Sequence, residues 1–361
     1  MIGNNKFAVC VRCMTYNQRN YIEETLHGFC MQDTHFPFVC IIVDDASTDG
    51  EPEVIKKYLD DNFQTNDKML SEREETNDYE LTFARHKENN NCYFAVFLLK
   101  YNHWGKKDKT PYYIEWMNAS KYLAICEGDD YWTDARKLEN QVNFLEGHPD
   151  YALCYTKTLR NNNNKVFGTW GDNDCSFEGL LNGCIIPTLT RMERTSAYFD
   201  FLHIVKPHEH KWLMGDYANI LFYSLKYKIG HLDGYSGVYR ILSESTSHSA
   251  DINKLIKFYD SADDVRYFFI NRFVDDAGKR NRLSSMVKLN EVLYKLNQYT
   301  QRYMIKEAAA LYSKESDIIP IKERVKYRLE TFSEGFSPIF IFLFNIKQNF
   351  KGILKKIYIS I

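Results

Sequence analysis

The sequence predicts an α/β protein, a mostly parallel sheet flanked by helices, with a helical extension at its C-terminal side. Three observations carry this. Short apolar, β-branched runs alternate with segments of helical period over the first 60 residues. The links between them are short, as in right-handed β-α-β units. From about residue 250 onward the β signals stop and the pattern is helical.

Residues 7–14 form an apolar strand run that contains Arg12 and ends in the polar turn Thr15-Tyr16-Asn17. From Asn20 the period lengthens: Ile22, Leu26, Phe29 and Cys30 share a helical face, and Asn20 with Glu23 has capping-box spacing. Residues 38–43 are continuously apolar, the mark of a strand covered on both faces. That run stops at Asp44-Asp45-Ala46-Ser47-Thr48-Asp49-Gly50. A helix follows, with Pro52 in its first turn and Val54, Ile55, Tyr58 and Leu59 inward. Residues 60–91 are polar and charged and read as a surface insertion. Residues 93–99 read as a third strand, 102–110 as a basic loop, 114–119 as a short helix and 122–126 as a fourth strand. The fourth ends in Glu127-Gly128-Asp129-Asp130-Tyr131-Trp132. A helix with Leu138, Val142 and Leu145 inward comes next, then a strand over 151–155. Between the Asn/Gly/Asp-rich loop at 161–174 and residue 250 the pattern is irregular.

A chain of 361 residues buries a full core without staples and suits two domains, or one with appendages. The 46 basic and 48 acidic residues nearly cancel, which argues against a general nucleic-acid binder. With 26 Tyr and 24 Phe there is ample apolar surface to bury, so disorder is disfavoured. The nine cysteines are scattered, and Cys10-x-x-Cys13 has no second pair at zinc-finger spacing. They are expected as free, buried thiols of a reducing compartment. No basic, then apolar leader opens the chain, and no window approaches the ~18–20 apolar residues of a spanning helix. A cytoplasmic protein is predicted.

In a parallel sheet, ligands bind beyond the carboxyl ends of the strands. Three predicted strands end there in polar clusters: Thr15-Tyr16-Asn17, Asp44-Asp45 and Glu127-Gly128-Asp129-Asp130. An aromatic ring and an aspartate suit a nucleoside base. Clustered carboxylates suit a hard cation that bridges them to phosphates. Asp44-Asp45 alone can equally be a helix cap. Three carboxylates in four residues exceed what a cap needs. Neither G-x-G-x-x-G nor G-x-x-x-x-G-K-[ST] is present, so phosphate charge must be met by metal and by basic side chains such as Lys106, Lys107 and Lys109.

The segments VCVRCMTYN, FVCIIVDDASTDG and YLAICEGDDYWTD, with the helix KLENQVNFLEGHPDYALCYT, resemble the family 2 glycosyltransferases of bacterial cell-surface polysaccharides. The resemblance covers roughly residues 5–250 and implies a GT-A domain over 1–250, a helical extension over 251–333 and a tail over 334–361. Arg12 and the segment 60–91 depart from the family pattern and are expected to lie away from the site chemistry. By matching motif positions, the resemblance places Thr15, Tyr16, Asp45 and Asp129 around the nucleotide sugar, with Asp45 at the base; Asn17, Asp44, Lys109 and Arg240 are expected to join them there. It places Asp130, Glu127 and His248 at Mg²⁺ or Mn²⁺. Asp216, in Trp212-Leu213-Met214-Gly215-Asp216-Tyr217, matches the family's catalytic base; an aspartate opening a helix can also serve as its cap. Pro187-Thr188-Leu189-Thr190 resembles the acceptor-facing segment.

The implied reaction is hexosyl transfer from a nucleotide sugar to a hydroxyl of a glycan or lipid-linked sugar, with inversion. A nucleotidyltransferase of similar fold would carry a Gly-rich basic loop after the first strand, which Thr15-Tyr16-Asn17-Gln18-Arg19-Asn20 lacks. A catalytically silent, membrane-associated scaffold is the rival from another class. In the last 25 residues, Ile346, Phe350, Ile353, Leu354 and Ile357 alternate with Lys347, Lys351, Lys355 and Lys356. Such a helix either lies on the inner face of the cell membrane or docks on protein.

Overall fold

The computed structural model describes residues 7–67, 69–162, 165–171, 174–242, 249–324 and 327. The chain divides into two compact units, Met1–His248 and Ser249–Ile361. His248 and the tail over 334–361 lie outside the described residues.

The first unit holds strands β1 (Phe7–Thr15), β2 (Phe38–Asp44), β3 (Ser71–Glu75), β4 (Tyr79–Arg85), β5 (Cys92–Leu99), β6 (Ser120–Ile125), β7 (Tyr131–Trp132), β8 (Tyr151–Asn162), β9 (Lys165–Trp170), β10 (Met192–Arg194) and β11 (Lys228–Arg240). Its helices are α1 (Ile22–Cys30), α2 (Glu51–Asn62), α3 (Ile114–Asn118), α4 (Lys137–Gly147), α5 (Phe177–Asn182), α6 (Thr195–Val205) and α7 (Gly215–Lys226). The strands form one sheet in the order β3-β4-β5-β2-β1-β6-β10-β8-β11-β7, with β9 paired to β8. Its centre, β5-β2-β1-β6, is parallel throughout.

Every residue of β2 is buried, so the unbroken apolar run reflects cover on both faces. Because alternate residues point to opposite sides, Cys40 and Ile42 pack with Ile22, Leu26, Phe29, Leu138 and Val142 of the helices on one face. Val39, Ile41 and Val43 pack with Trp116 and Met117 on the other.

Residues 60–91 are not a bare insertion. They continue the sheet as the antiparallel pair β3–β4, with β4 paired to β5. Leu81, Phe83 and Ala84 are buried, whereas most of Ser71-Glu72-Arg73-Glu74-Glu75 is exposed. An outermost strand keeps charge to stay unpaired on its open side, and that charge masks it in the sequence. Nor do Asn20 and Glu23 form a capping box. Tyr21 caps α1 without a side-chain hydrogen bond, and the turn closes through Ile22 N–H donating to Gln18 O at 3.0 Å. The irregular stretch after residue 161 contains β9, β10 and the 13-residue β11, whose pairing with β8 shifts register three times. Those irregularities erase the two-residue period.

All nine cysteines are free, seven of them buried. No helix among the described residues is long and apolar enough to cross a membrane. In the second unit, α8 (Ile252–Phe273), α9 (Ala277–Gln301) and α10 (Ile305–Glu315) form a helical body. Asp251 and Asp276 cap α8 and α9 with their side chains, and Val292, Leu296, Ala308 and Ile319 build a small core.

Candidate active site

The four parallel strands point the same way, so their following loops share one edge of the sheet. Thr15 is the register partner of Asp44, and Gly128 N–H donates to Met14 O at 3.1 Å. The three polar clusters therefore begin within one rank of the sheet. Gly128 is needed for this approach: a Cβ there would overlap Thr15 Oγ1 and Gln18 Oε1.

The first two loops are stitched together by Glu51, which is fully buried at the start of α2. It bonds Thr15 Oγ1 through one oxygen; the other accepts from Gln18 N–H at 2.8 Å and Ser47 Oγ at 3.0 Å. Asn17 adopts the left-handed conformation at φ 55° and accepts Thr48 N–H at 2.9 Å, a local bond that suits asparagine to that region. Gln18 also acts on the third loop, where its side chain favours the charged form of Asp129 against burial.

Asp45 is buried and doubly engaged. Its Oδ1 accepts from His103 N–H at 2.7 Å and its Oδ2 from Lys109 Nζ at 2.6 Å. His103 is itself locked, with Nδ1 2.8 Å from Tyr101 O and Nε2 2.9 Å from Tyr112 OH. The basic loop is thus anchored on the second cluster, while Lys107 pairs with Asp78 at 2.6 Å. A cleft of about 520 Å³ opens here, lined by Tyr16, Asp44, Ser47, Lys56, Tyr101 and Asn102 among others. Tyr16 is 47% exposed. Asp44 accepts Ser47 N–H at 3.1 Å, but its buried Oδ1 has no partner, and burial raises its pKa.

The third loop is a knot of under-neutralised acid. Burial pushes Glu127 up to about 7 against the pull of Arg12, and the charges of Asp129 and Asp216 add to the rise. Burial also raises Asp129, opposed by Arg240 and Gln18. Asp130 is raised by burial and by Asp129. Arg12 is therefore not remote from the site, as its place inside β1 suggested; it is the charge that restrains Glu127. Arg240 is 7% exposed, and its guanidinium is turned to the loop itself. It bonds Asp129 O at 2.6 Å, pairs with Glu24 and lies 4.3 Å from the Tyr131 ring centroid, while its N–H donates to Asp130 Oδ1 at 2.8 Å.

Asp216 stands in the first turn of α7 but does not cap it; Met214 holds that position. Its Oδ2 accepts from Thr188 Oγ1 at 2.7 Å, and its carbonyl from the fully buried Arg191 at 3.1 Å. Its charge is felt at Glu127, so it stands within electrostatic reach of the acidic loop.

No group of three or more His, Cys, Asp or Glu among the described residues is arranged to hold a metal by itself. Mg²⁺ and Mn²⁺ often take only one or two protein carboxylates and complete their shell with phosphate and water. Glu127, Asp129 and Asp130, held together with raised proton affinities, fit that partial role. Glu51, Gln18, Thr25 and Arg191 were not singled out from sequence. Thr25 Oγ1 lies 2.6 Å from Asp130 O and 2.9 Å from Gly128 O. Of these only Glu51 left a trace, as an acid directly after Asp49-Gly50.

The family model described as glycosyl transferase family 2 matches residues 10–77. The uncharacterized protein Rv1520 of Mycobacterium tuberculosis is 36% identical over 145 residues, 39% of this chain and 32% of that protein. The chain thus spans about a third of the length of its mycobacterial relatives. TuaG of Bacillus subtilis, named as a candidate teichuronic acid biosynthesis glycosyltransferase, is 33% identical over 161 residues, 44% of this chain and 59% of that protein. Among solved structures, S. aureus TarS 1-349 in complex with UDP-GlcNAc superposes with a TM-score of 0.56 at 16% identity, covering 86% of this chain and 81% of that one. That likeness is one of fold, the GT-A arrangement of sheet and helices. Strand-end motifs, sheet and family model point the same way: over residues 10–77 the chain matches the model of glycosyl transferase family 2, and its fold is that of GT-A proteins.

Proposed function

We propose that the protein transfers a sugar from a nucleotide-sugar donor to an acceptor hydroxyl, with inversion, during assembly of a cell-surface polysaccharide, assisted by Mg²⁺ or Mn²⁺. The observation that carries this is the meeting of the Thr15, Asp45 and Asp129 loops on one sheet edge, with Asp216 near enough to weigh on Glu127. The solved TarS complexes with UDP-GlcNAc and UDP, and the name of TuaG, support the donor and product classes.

In this reading the nucleoside lies in the cleft between Tyr16 and Asn102, with Asp44 and Asp45 supplying acceptors and Lys109 a donor. Glu127 and Asp130 would hold the cation, and the sequence resemblance assigns His248 to the same ion. Bound there, the cation would offset charge on the departing diphosphate. Asp216 Oδ1 takes the proton of the acceptor hydroxyl as that oxygen bonds the anomeric carbon. The bond from that carbon to the diphosphate breaks, and the nucleoside diphosphate leaves with the electron pair. Arg240 and Thr25 hold the acidic loop in place.

The test is a thermal-shift panel of UDP- and GDP-sugars with and without MnCl₂, followed by nucleotide-release assays on glycoside acceptors. A donor that binds the native state raises its midpoint. Asp216→Asn should keep that binding and lose turnover by about 10²–10⁴-fold. Full turnover in Asp216→Asn, or a product with retained anomeric configuration, would refute the scheme.

A further inference from the structure

We infer that Thr188 is a positioning residue for the Asp216 carboxylate, fixing which of its two oxygens faces the acceptor; this rests on Asp216 being the base. Thr188 Oγ1 donates to Asp216 Oδ2 at 2.7 Å. Among the described residues it is the one hydrogen-bond donor to that carboxylate, which leaves Oδ1 to accept. A carboxylate on a single-bonded stem rotates about χ2, so one short bond from a fixed donor sets its plane.

The donor is fixed. Thr188 opens a tight turn, Thr188–Thr190, whose next two residues are buried. Trp132 Nε1 donates to Leu189 O at 2.7 Å, Gln141 Nε2 to Thr190 O at 2.7 Å, and Thr190 Oγ1 to Thr156 O at 2.7 Å. Trp132 follows directly on the acidic motif. The turn that aims Asp216 is therefore held by the segment that carries Asp129 and Asp130. From the other side, Arg191 holds the Asp216 carbonyl and, at 3.2 Å, Asn219 one turn later. Backbone and carboxylate are both constrained, and by different neighbours. Such preorganisation matters because a small misplacement of a catalytic group can cost about 10²-fold in rate.

The experiment compares wild type, Thr188→Val, Thr188→Ser and Asp216→Asn. Nucleotide release is followed from a pool of UDP-glucose, UDP-galactose, UDP-GlcNAc and GDP-mannose against a pool of p-nitrophenyl glycosides, with MnCl₂. Val preserves the branched shape and removes the hydroxyl; Ser restores it. Thr188→Val should lower kcat by about 10- to 100-fold with unchanged donor KM and melting midpoint, while Thr188→Ser stays within a few-fold of wild type. If Thr188→Val fails to fold, Thr188→Ala read against Thr188→Ser gives the same contrast. Wild-type kcat in Thr188→Val overturns the inference, as does a loss that Ser fails to rescue. Full turnover in Asp216→Asn fails the underlying assignment of the base and takes this inference with it.

Discussion

Replacing Glu127 by Gln should make the protein more stable above neutral pH and leave it nearly unchanged in acid. In the native state the carboxyl titrates near 7, against 4.5 for an unhindered glutamate. A raised native pKa means that the folded chain binds the proton more tightly than the unfolded chain. Its stabilising contribution is complete below about 4.5 and is lost as pH rises through 7. At ~1.36 kcal/mol per tenfold change in proton affinity, the penalty in wild type grows by roughly 2–3 kcal/mol between pH 5 and pH 8. The uncharged Gln carries no such penalty, because it has no charge to strip of water by burial or to set against Asp129 and Asp216. For a unit of this size ~1 kcal/mol moves the midpoint by about 2–4 °C, so the two melting curves should separate by roughly 5–10 °C at pH 8. The assay is a set of thermal melts at four pH values in EDTA. Adding MnCl₂ at pH 8 should then narrow the gap by stabilising wild type more. An offset that does not change between pH 5 and 8, or a Gln variant that melts lower at pH 8, would refute the electrostatic account.

Three further outcomes follow from the same geometry. Gly128→Ala should abolish nucleotide-dependent thermal shifts, since its methyl displaces the acidic loop from Thr15 and Gln18. Asp45→Asn weakens the bonds to His103 N–H and Lys109, and calorimetry with UDP or GDP should show affinity lower by about tenfold or more, as expected for hydrogen bonds to a charged group. Arg191→Met takes from the buried Glu193 one of the two cations whose charge it feels, Arg12 being the other, and should cost about 3 kcal/mol in circular-dichroism melts. Arg191→Lys should recover part of that loss, because both bonds, to Asp216 O and to Asn219 Oδ1, come from the single nitrogen Nη1, whose role an ammonium with three donors can take.

The parallel centre of the sheet was legible because its strands are covered on both faces, and their apolar runs are then unbroken, as in β2. The outer strands were not. β3 is almost wholly charged, and the bulges of β11 spoil its alternation. The strand-end clusters were legible as clusters, since Asp44-Asp45 and Glu127-Gly128-Asp129-Asp130 each lie within a few residues. Their supports were not, because Glu51, Gln18, Thr25 and Arg191 act across folds of the chain. Thr25 is 105 residues from the Asp130 carbonyl that it meets. Arg240 reads from sequence as a contact for the nucleotide sugar; its bonds to Asp129 O and Glu24 depend on where the acidic loop and α1 lie.

The charged outermost strand has a consequence for how this protein behaves in a crowd. A sheet of this width ends in an open ladder of amide and carbonyl groups, and β3 supplies one such end. Glu72, Glu74 and Glu75 line it against the single cation Arg73, so two molecules that approach rail to rail bring a net negative charge on each side together before any ladder can form. At the opposite end β7 is two residues long and offers too little rail to grip. Neutralising those glutamates would leave catalysis untouched and invite the molecules to zip into larger species.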